Sequence, residues 1–213
     1  MSDDVKSQLV PTGVLRAGIN MANKLLVTGE TAAGEPDGVG PEFARHIAGR
    51  LGVDIAYVQF PTPGELADAV STDTWDIGLI GAEPTRAEKI EFTAAYVEIE
   101  ATYLVPEGSP LKTIADVDAE GVRIAVSGRS AYDLYLTRSL EQAELIRAQG
   151  LPGALELFLN DKLEALAGLR PALNNDIGKV PGGRILDGQF TAVQQAVGTA
   201  KANTAAAAFL SEV

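Results

Sequence analysis

The sequence has no cysteine, and it has a single histidine, His46. Without cysteine the chain can form no disulfide, and it offers no thiol nucleophile and no thiolate metal ligand. Because His46 stands alone in the middle of a predicted helix, neither a histidine-based catalytic triad nor a histidine metal cluster can be built. We therefore expect no catalytic residue, no metal and no cofactor.

Basic residues are also scarce. Lys and Arg number 17 against 29 Asp and Glu, which gives a net charge of -12. Such a chain repels phosphate backbones and anionic membranes, so we expect no nucleic-acid partner. No apolar run reaches the roughly eighteen residues that span a bilayer, so we expect no direct membrane insertion. The start MSDDVKSQ has no secretory signal pattern, which leaves both a mature exported chain and a cytoplasmic one open.

Hydrophobic residues at 46% and charged residues at 22% are typical of a folded globular chain. Hydrophobic periodicity and capping signals predict a βαβαβ order in the first third. The elements are strand 14–20, helix 41–51 ended by Gly52, strand 53–60, a helix opened by Thr62 and Pro63, and strand 75–80. Strands that alternate with helices indicate a parallel sheet.

The same order returns after Pro110, as strand 121–127, helix 131–140, strand 144–148, a helix from 153 and strand 163–169. Extended runs at 96–105 and 190–197 would carry the chain from one unit to the other and back. We therefore predict an α/β fold of two βαβαβ lobes joined by a two-segment hinge. Lobe 1 would comprise 1–104 and 191–213, and lobe 2 would comprise 105–190, with the alanine run 205–208 in a helix.

Open parallel sheets bind ligands beyond the carboxyl ends of their strands, so the residues after each strand are the candidate ligand-binding residues. In the first lobe they are Asn20, Asn23, Gly81, Ala82, Glu83 and Arg86. In the second lobe they are Arg129, Ser130, Ala131, Tyr132 and Arg170.

Arg86 is the expected anchor, because its guanidinium could hold a carboxylate in bidentate fashion beside exposed backbone amides. The alternative is a surface arginine paired with Glu88 or Glu91.

Ser130 has Asp133 three residues later and is predicted to cap a helix, a role compatible with anion binding by the first helical amides of Ala131 and Tyr132. Tyr132 would add a stacking face or a hydroxyl, or else pack against Tyr135.

The segment TWDIGLIGAEPTRAEKIEFTAAYVEIEATYLVPEGSPLKTIADVDAEGVRIAVSG resembles the family 3 extracellular solute-binding proteins of the polar amino-acid-binding type. Arg86, Ala87, Ile90, Phe92, Thr93 and Tyr96 follow the family pattern R-A-x-x-(V/I)-x-F-(S/T)-x-x-Y. The resemblance extends to LRAGIN and GVGPEFARHIAGRLG. It implies a type II periplasmic-binding fold that closes over a ligand in the cleft between the lobes, with Arg86 on the ligand carboxylate and Ser130 opposite. It also implies a monomeric, periplasmic component of an ABC-type uptake system, with a membrane permease as partner.

Three departures from the family bear on the ligand. Asn20 to Lys24 replace the usual aromatic clamp, Gly81 replaces a threonine, and no acid stands near Leu169 or Arg170 to hold an α-amino group. An ordinary α-amino acid is therefore disfavoured among small carboxylates.

If Arg170 joins Arg86 in the pocket, a dicarboxylate would fit, because an uncompensated buried cation is costly. Glutamate would also fit, with its amine held by Glu83. Otherwise Arg170 would pair with Asp161 or Glu164 at the surface.

Two other functions stay open. One is a cyclohexadienyl-dehydratase-like enzyme, whose general acid would have to be Glu83, Glu156 or Asp161. The other is the ligand-sensing module of a receptor, since closure over a ligand can signal as well as feed transport. The resemblance also implies further helices after the last crossing strand, so we expect a truncated chain.

Overall fold

The computed structural model describes residues 2–213 and divides into two compact units. Unit 1 runs through Val97 and resumes at Gln194–Val213, and unit 2 is Glu98–Val193. The chain passes from one unit to the other after Val97 and returns after Val193, whereas the sequence suggested crossings after 104 and 190. No helix within residues 2–213 is long and apolar enough to cross a membrane.

The strands are β1 Leu15–Asn20, β2 Gly29–Glu30, β3 Pro36–Asp37, β4 Ile55–Phe60, β5 Ile77–Ala82, β6 Ile90–Phe92, β7 Val97–Val105, β8 Arg123–Ser127, β9 Glu144–Ala148, β10 Ala165–Leu169, β11 Arg184–Ile185 and β12 Thr191–Ala200. The helices are α1 Asp3–Leu9, α2 Val39–Leu51, α3 Pro63–Asp68, α4 Pro84–Ala87, α5 Ala131–Ser139, α6 Gly150–Asn160, α7 Arg170–Asp176 and α8 Thr204–Leu210. Short 3-10 turns lie at Ala69–Thr72, Ile114–Val117 and Ile177–Lys179.

Each unit contains a three-stranded parallel sheet extended by one antiparallel strand. In unit 1 the order is β4, β1, β5, with β12 antiparallel to β5. In unit 2 the order is β9, β8, β10, with β7 antiparallel to β10. The first strand of each βαβαβ set therefore lies in the middle, which confirms the α/β class and the parallel sheets predicted from the sequence.

Most local predictions agree with the structure to within a few residues. Gly52 ends α2 in the left-handed conformation (φ 68°), and the side chain of Thr62 caps α3 by accepting from the Glu65 amide at 3.2 Å. Helix α6 starts at Gly150 instead of 153, because a proline in the first helical turn, Pro152, loses no hydrogen bond.

The N-terminal helix α1 was not predicted from the sequence. Ser2 caps it, and Val5 and Leu9, four residues apart, bury one face against the unit 1 core. The alanine run lies in α8, as predicted, and α8 packs on α1.

Two glycines on neighbouring strands of unit 1 leave room for the indole ring of Trp75. Gly18 of β1 and Gly78 of β5 lie opposite each other in the parallel register. A Cβ at either position would come within 3.2–3.3 Å of the Trp75 ring, and at Gly78 it would also meet Leu66 at 3.0 Å. The indole nitrogen donates to the Leu66 carbonyl at 3.0 Å, so the ring has little freedom to move aside.

We expect Gly78→Ala to lower the free energy of unfolding by about 1–3 kcal/mol, because the added methyl would crowd Leu66 and the Trp75 ring. The matched control is Gly49→Ala in α2, where an added Cβ meets nothing within 4 Å. That change should raise stability by about 0.5–1 kcal/mol through helix propensity. Thermal melts of the two variants should shift in opposite directions, and shifts of the same sign would contradict the packing described.

In both units, a carboxylate–arginine ion pair joins the first and third parallel strands. In unit 1 the buried carboxylate of Asp76 accepts from the backbone amide of Arg16 at 2.8 Å and pairs with its guanidinium at 2.6 Å. In unit 2 the carboxylate of Glu164 accepts from the backbone amide of Arg123 and from its guanidinium, both at 2.8 Å. The hydrogen bond from Arg123 lowers the pKa of Glu164.

Candidate functional site

The candidate residues of unit 1 lie at the carboxyl edge of its parallel sheet. Asn20 is the last residue of β1, and Gly81 and Ala82 end the neighbouring strand β5. The pairing of Ile19 with Leu79 brings these two strand ends side by side. The structure therefore brings these residues together at the edge where open parallel sheets bind ligands.

Arg86 is buried at this edge, with 6% of its surface exposed. It lies in the short helix α4, which Glu83 caps by accepting from the Thr85 amide at 2.9 Å. The guanidinium donates from Nη1 to the Gly81 carbonyl at 2.7 Å. Burial of this degree excludes the surface arginine that the sequence left open, and the bond to β5 fixes a cationic group at the carboxyl edge.

Asn20 and Asn23 shape the turn that follows β1. The Asn20 Oδ1 accepts from the Ala22 amide at 3.2 Å, and the Asn23 Oδ1 accepts from the Leu25 amide at 3.3 Å. Both side chains are buried. Since a backbone N–H can donate only to the oxygen of a carboxamide, these bonds also fix which way each side-chain amide is oriented.

The unit 2 candidates from Arg129 to Tyr132 form the turn between β8 and α5. Ser130 caps α5 by accepting from the Asp133 amide at 3.0 Å, which confirms the predicted cap. Arg129 has a φ of 61°, a left-handed conformation that is uncommon outside glycine. Its amide donates to the Asp133 carboxylate at 2.7 Å, and that buried carboxylate also pairs with Arg147 at 2.9 Å. This network holds the strained turn in place.

Tyr132 is buried in the unit 2 core together with Leu136. Burial raises the pKa of Tyr132 to about 12, against the opposing effect of hydrogen bonds with Ser130 and Ser127. The phenol is therefore neutral at physiological pH and tied to the turn beside it. Tyr135 instead stacks on Phe190, with ring centroids 6.1 Å apart.

Arg170 follows β10 at the carboxyl edge of the unit 2 sheet, but its guanidinium is engaged within unit 2. Its Nε pairs with Glu100 at 2.6 Å, and its Nη2 donates to the carbonyls of Leu186 and Gly188. Arg170 is therefore not an uncompensated cation, and it does not call for a second carboxylate on the ligand. The alternative partner Glu164 is also not used, because Glu164 pairs with Arg123.

A narrow pocket in unit 1 is lined by Asn20 and Asn23 together with residues that were not predicted from the sequence as ligand-binding. Its walls come from the end of β1, the turn after it, the start of α2, and strands β5 and β12. The residues that line it are Ile19, Asn20, Asn23, Leu26, Val27, Gly40, Leu79, Tyr96 and Gln195. Gln195 lies in the extended run 190–197, and a glutamine among Val193, Ala196 and Val197 was the available signal for it.

Comparison with solved structures shows that the fold is of the type II periplasmic-binding class. Holo ArgBP from T. maritima matches with a TM-score of 0.77 and 20% identity, over 100% of this chain and 92% of that one. The substrate-binding protein of an amino acid ABC transporter matches with a TM-score of 0.74 and 18% identity, over 94% and 91%. An ancestral amino acid-binding protein described as a precursor of cyclohexadienyl dehydratase matches with a TM-score of 0.76 and 19% identity, over 97% and 90%.

The chain belongs to the bacterial extracellular solute-binding proteins, family 3, whose sequence model matches residues 15–212. This confirms the resemblance found in the sequence. Among curated proteins, none matches the chain in sequence.

Proposed function

We propose that this chain is the solute-binding component of an ABC-type uptake system, that it binds a small carboxylate-bearing solute, and that it does no chemistry on it. The buried guanidinium of Arg86 carries the proposal. It stands at the carboxyl edge of a parallel sheet, held by the Gly81 carbonyl at 2.7 Å, where a planar fork of N–H donors suits a carboxylate. Membership of a solute-binding family supports the same function.

The unit 2 turn from Arg129 to Tyr132 would supply the second set of contacts. The first amides of a helix have no intrahelical acceptor and carry partial positive charge, so Ala131 and Tyr132 at the start of α5 suit an anion. The network of Asp133 and Arg147 would keep these amides in position. We also propose that the two lobes close over the ligand in the periplasm. A membrane permease would then recognise the closed state.

The ligand class follows from the charges described. Arg170 is compensated by Glu100, which removes the reason to require a second carboxylate on the ligand. A ligand with one carboxylate and an uncharged polar remainder, such as a hydroxy acid, therefore fits at least as well as a dicarboxylate.

The proposal is tested by thermal shifts of the purified protein against amino acids, hydroxy acids, dicarboxylates, aromatic acids and prephenate. We expect stabilisation by one class of carboxylate, at a size set by the ligand concentration relative to its Kd. A panel in which no carboxylate shifts the melting temperature would contradict the proposal. Turnover of prephenate would replace it with the enzyme, for which the buried Glu83 would be the candidate acid.

A further inference from the structure

We propose that Gln195 determines specificity in the site of the proposed function, by hydrogen bonding an uncharged oxygen-bearing group of the bound solute together with Asn20 and Asn23. The inference rests on the proposed function and adds the chemistry of the part of the ligand distant from the carboxylate. A hydroxyl, carbonyl or carboxamide oxygen is the group that the pocket suits.

Gln195 is a buried carboxamide without a protein partner. It is 5% exposed, and its side chain makes no hydrogen bond to any of residues 2–213. Among residues 2–213, every fully enclosed polar side-chain atom has a hydrogen-bond partner. Because the amide of Gln195 has none, it is not fully enclosed and retains some contact with the pocket. A buried polar group that the fold leaves unpaired costs free energy, and a ligand or water in the pocket would recover it.

The strand register places Gln195 on the pocket side of the unit 1 sheet. Gln195 lies opposite Gly81 on β5, and Leu79, two residues earlier, lines the pocket from the same face. Gly81 is the residue whose carbonyl holds Arg86, so Gln195 and the arginine anchor flank the same residue. The Gln195 carbonyl accepts from the Tyr96 amide at 2.9 Å, which fixes the backbone on this side of the pocket.

The other two carboxamides set the polarity of the pocket. The Oδ1 atoms of Asn20 and Asn23 each already accept one backbone N–H group, so most of what these side chains can still offer a ligand is their N–H donors. No carboxylate and no cation is among the lining residues. The pocket offers more hydrogen-bond donors than acceptors, and none of its lining residues is charged. It therefore favours a neutral acceptor on the ligand over an ammonium group or a second carboxylate. The pocket has room for about one water-sized group, which suits a single hydroxyl or carbonyl.

The experiment compares matched ligand pairs by calorimetric titration: 3-hydroxybutyrate with butyrate, serine with alanine, glutamine with norvaline, and malate with succinate. We expect wild-type protein to prefer the oxygen-bearing member of at least one pair by about tenfold or more, because a site built to hydrogen bond a group rejects the analogue that lacks it. Gln195→Met keeps the length of the side chain and removes its hydrogen bonds, so it should bring the two members to within about twofold.

Gln194→Met is the matched control, because the adjacent residue of β12 points to the opposite face of the strand. It should keep the wild-type preference. If Gln195→Met fails to fold, as judged by its melting transition, Gln195→Leu replaces it. A preference that survives in the folded variant would overturn the inference, as would wild-type binding without any preference. If no carboxylate binds wild-type protein, the proposed function fails first and the inference with it.

Discussion

Replacing Arg86 with alanine should reduce affinity for the carboxylate ligand by at least about a hundredfold. A hydrogen bond to a charged group contributes about 1.5–3 kcal/mol, and truncating one side of a desolvated charge pair costs about 2–5 kcal/mol. The guanidinium is almost fully buried and is oriented by the Gly81 carbonyl, so its loss would leave the ligand carboxylate without this desolvated partner. Calorimetric titration with the ligand found by thermal shift measures the loss.

Two further variants separate loss of binding from loss of folding. Arg86→Lys keeps the positive charge but loses the planar fork, and it should bind with an affinity between those of wild type and Arg86→Ala. Arg45→Ala removes an arginine that pairs with Glu42 on the surface of α2 and should leave affinity unchanged. Wild-type affinity in a folded Arg86→Ala protein would remove Arg86 from the site.

Neutralising Asp76 should destabilise the protein far more than neutralising Asp73, although both carboxylates contact the same arginine. Asp76 is buried and holds both the amide and the guanidinium of Arg16, whereas the Asp73 side chain is 89% exposed. Removing one partner of a buried pair costs about 3–5 kcal/mol, and retention of part of the bonding by the asparagine amide should reduce this to about 2–3 kcal/mol in Asp76→Asn. Asp73→Asn should cost at most about 0.5 kcal/mol, since exposed pairs contribute little.

Urea unfolding of the two asparagine variants measures this difference. Asparagine is the suitable replacement at both positions, because Asp73 has a φ of 53°, which asparagine tolerates better than alanine. For a chain of this size, 2–3 kcal/mol corresponds to a fall in Tm of roughly 4–12 °C. Equal effects of the two variants would show that burial does not set the strength of this pair.

The elements that could be predicted from the sequence are those whose determinants are local. Phe43, Ile47 and Leu51 recur at four-residue spacing before Gly52, and the structure has a helix that ends at that glycine. Ser130 followed by Asp133 predicted a helix start, and the cap hydrogen bond is present at 3.0 Å. The position of Arg86 after a buried strand also followed from local order, because a parallel sheet collects its strand ends at one edge.

The polar partners could not be predicted, because they depend on residues distant in sequence. The sequence left Arg170 either in the ligand pocket or paired with an acid within ten residues, but it pairs with Glu100, which β7 brings beside β10. Glu164 is taken by Arg123, 41 residues earlier, since both stand at the start of neighbouring strands. Gln195 enters the pocket only because of the antiparallel register between β12 and β5, which no local pattern specifies.

The most direct test of binding without chemistry is to incubate wild-type protein with its stabilising carboxylate, titrate the complex by calorimetry, and identify the recovered small molecule by mass spectrometry. We expect one ligand per chain, negative heat-capacity change, and complete recovery of the ligand unaltered. Conversion of the ligand, or failure of every carboxylate to bind, would contradict the account.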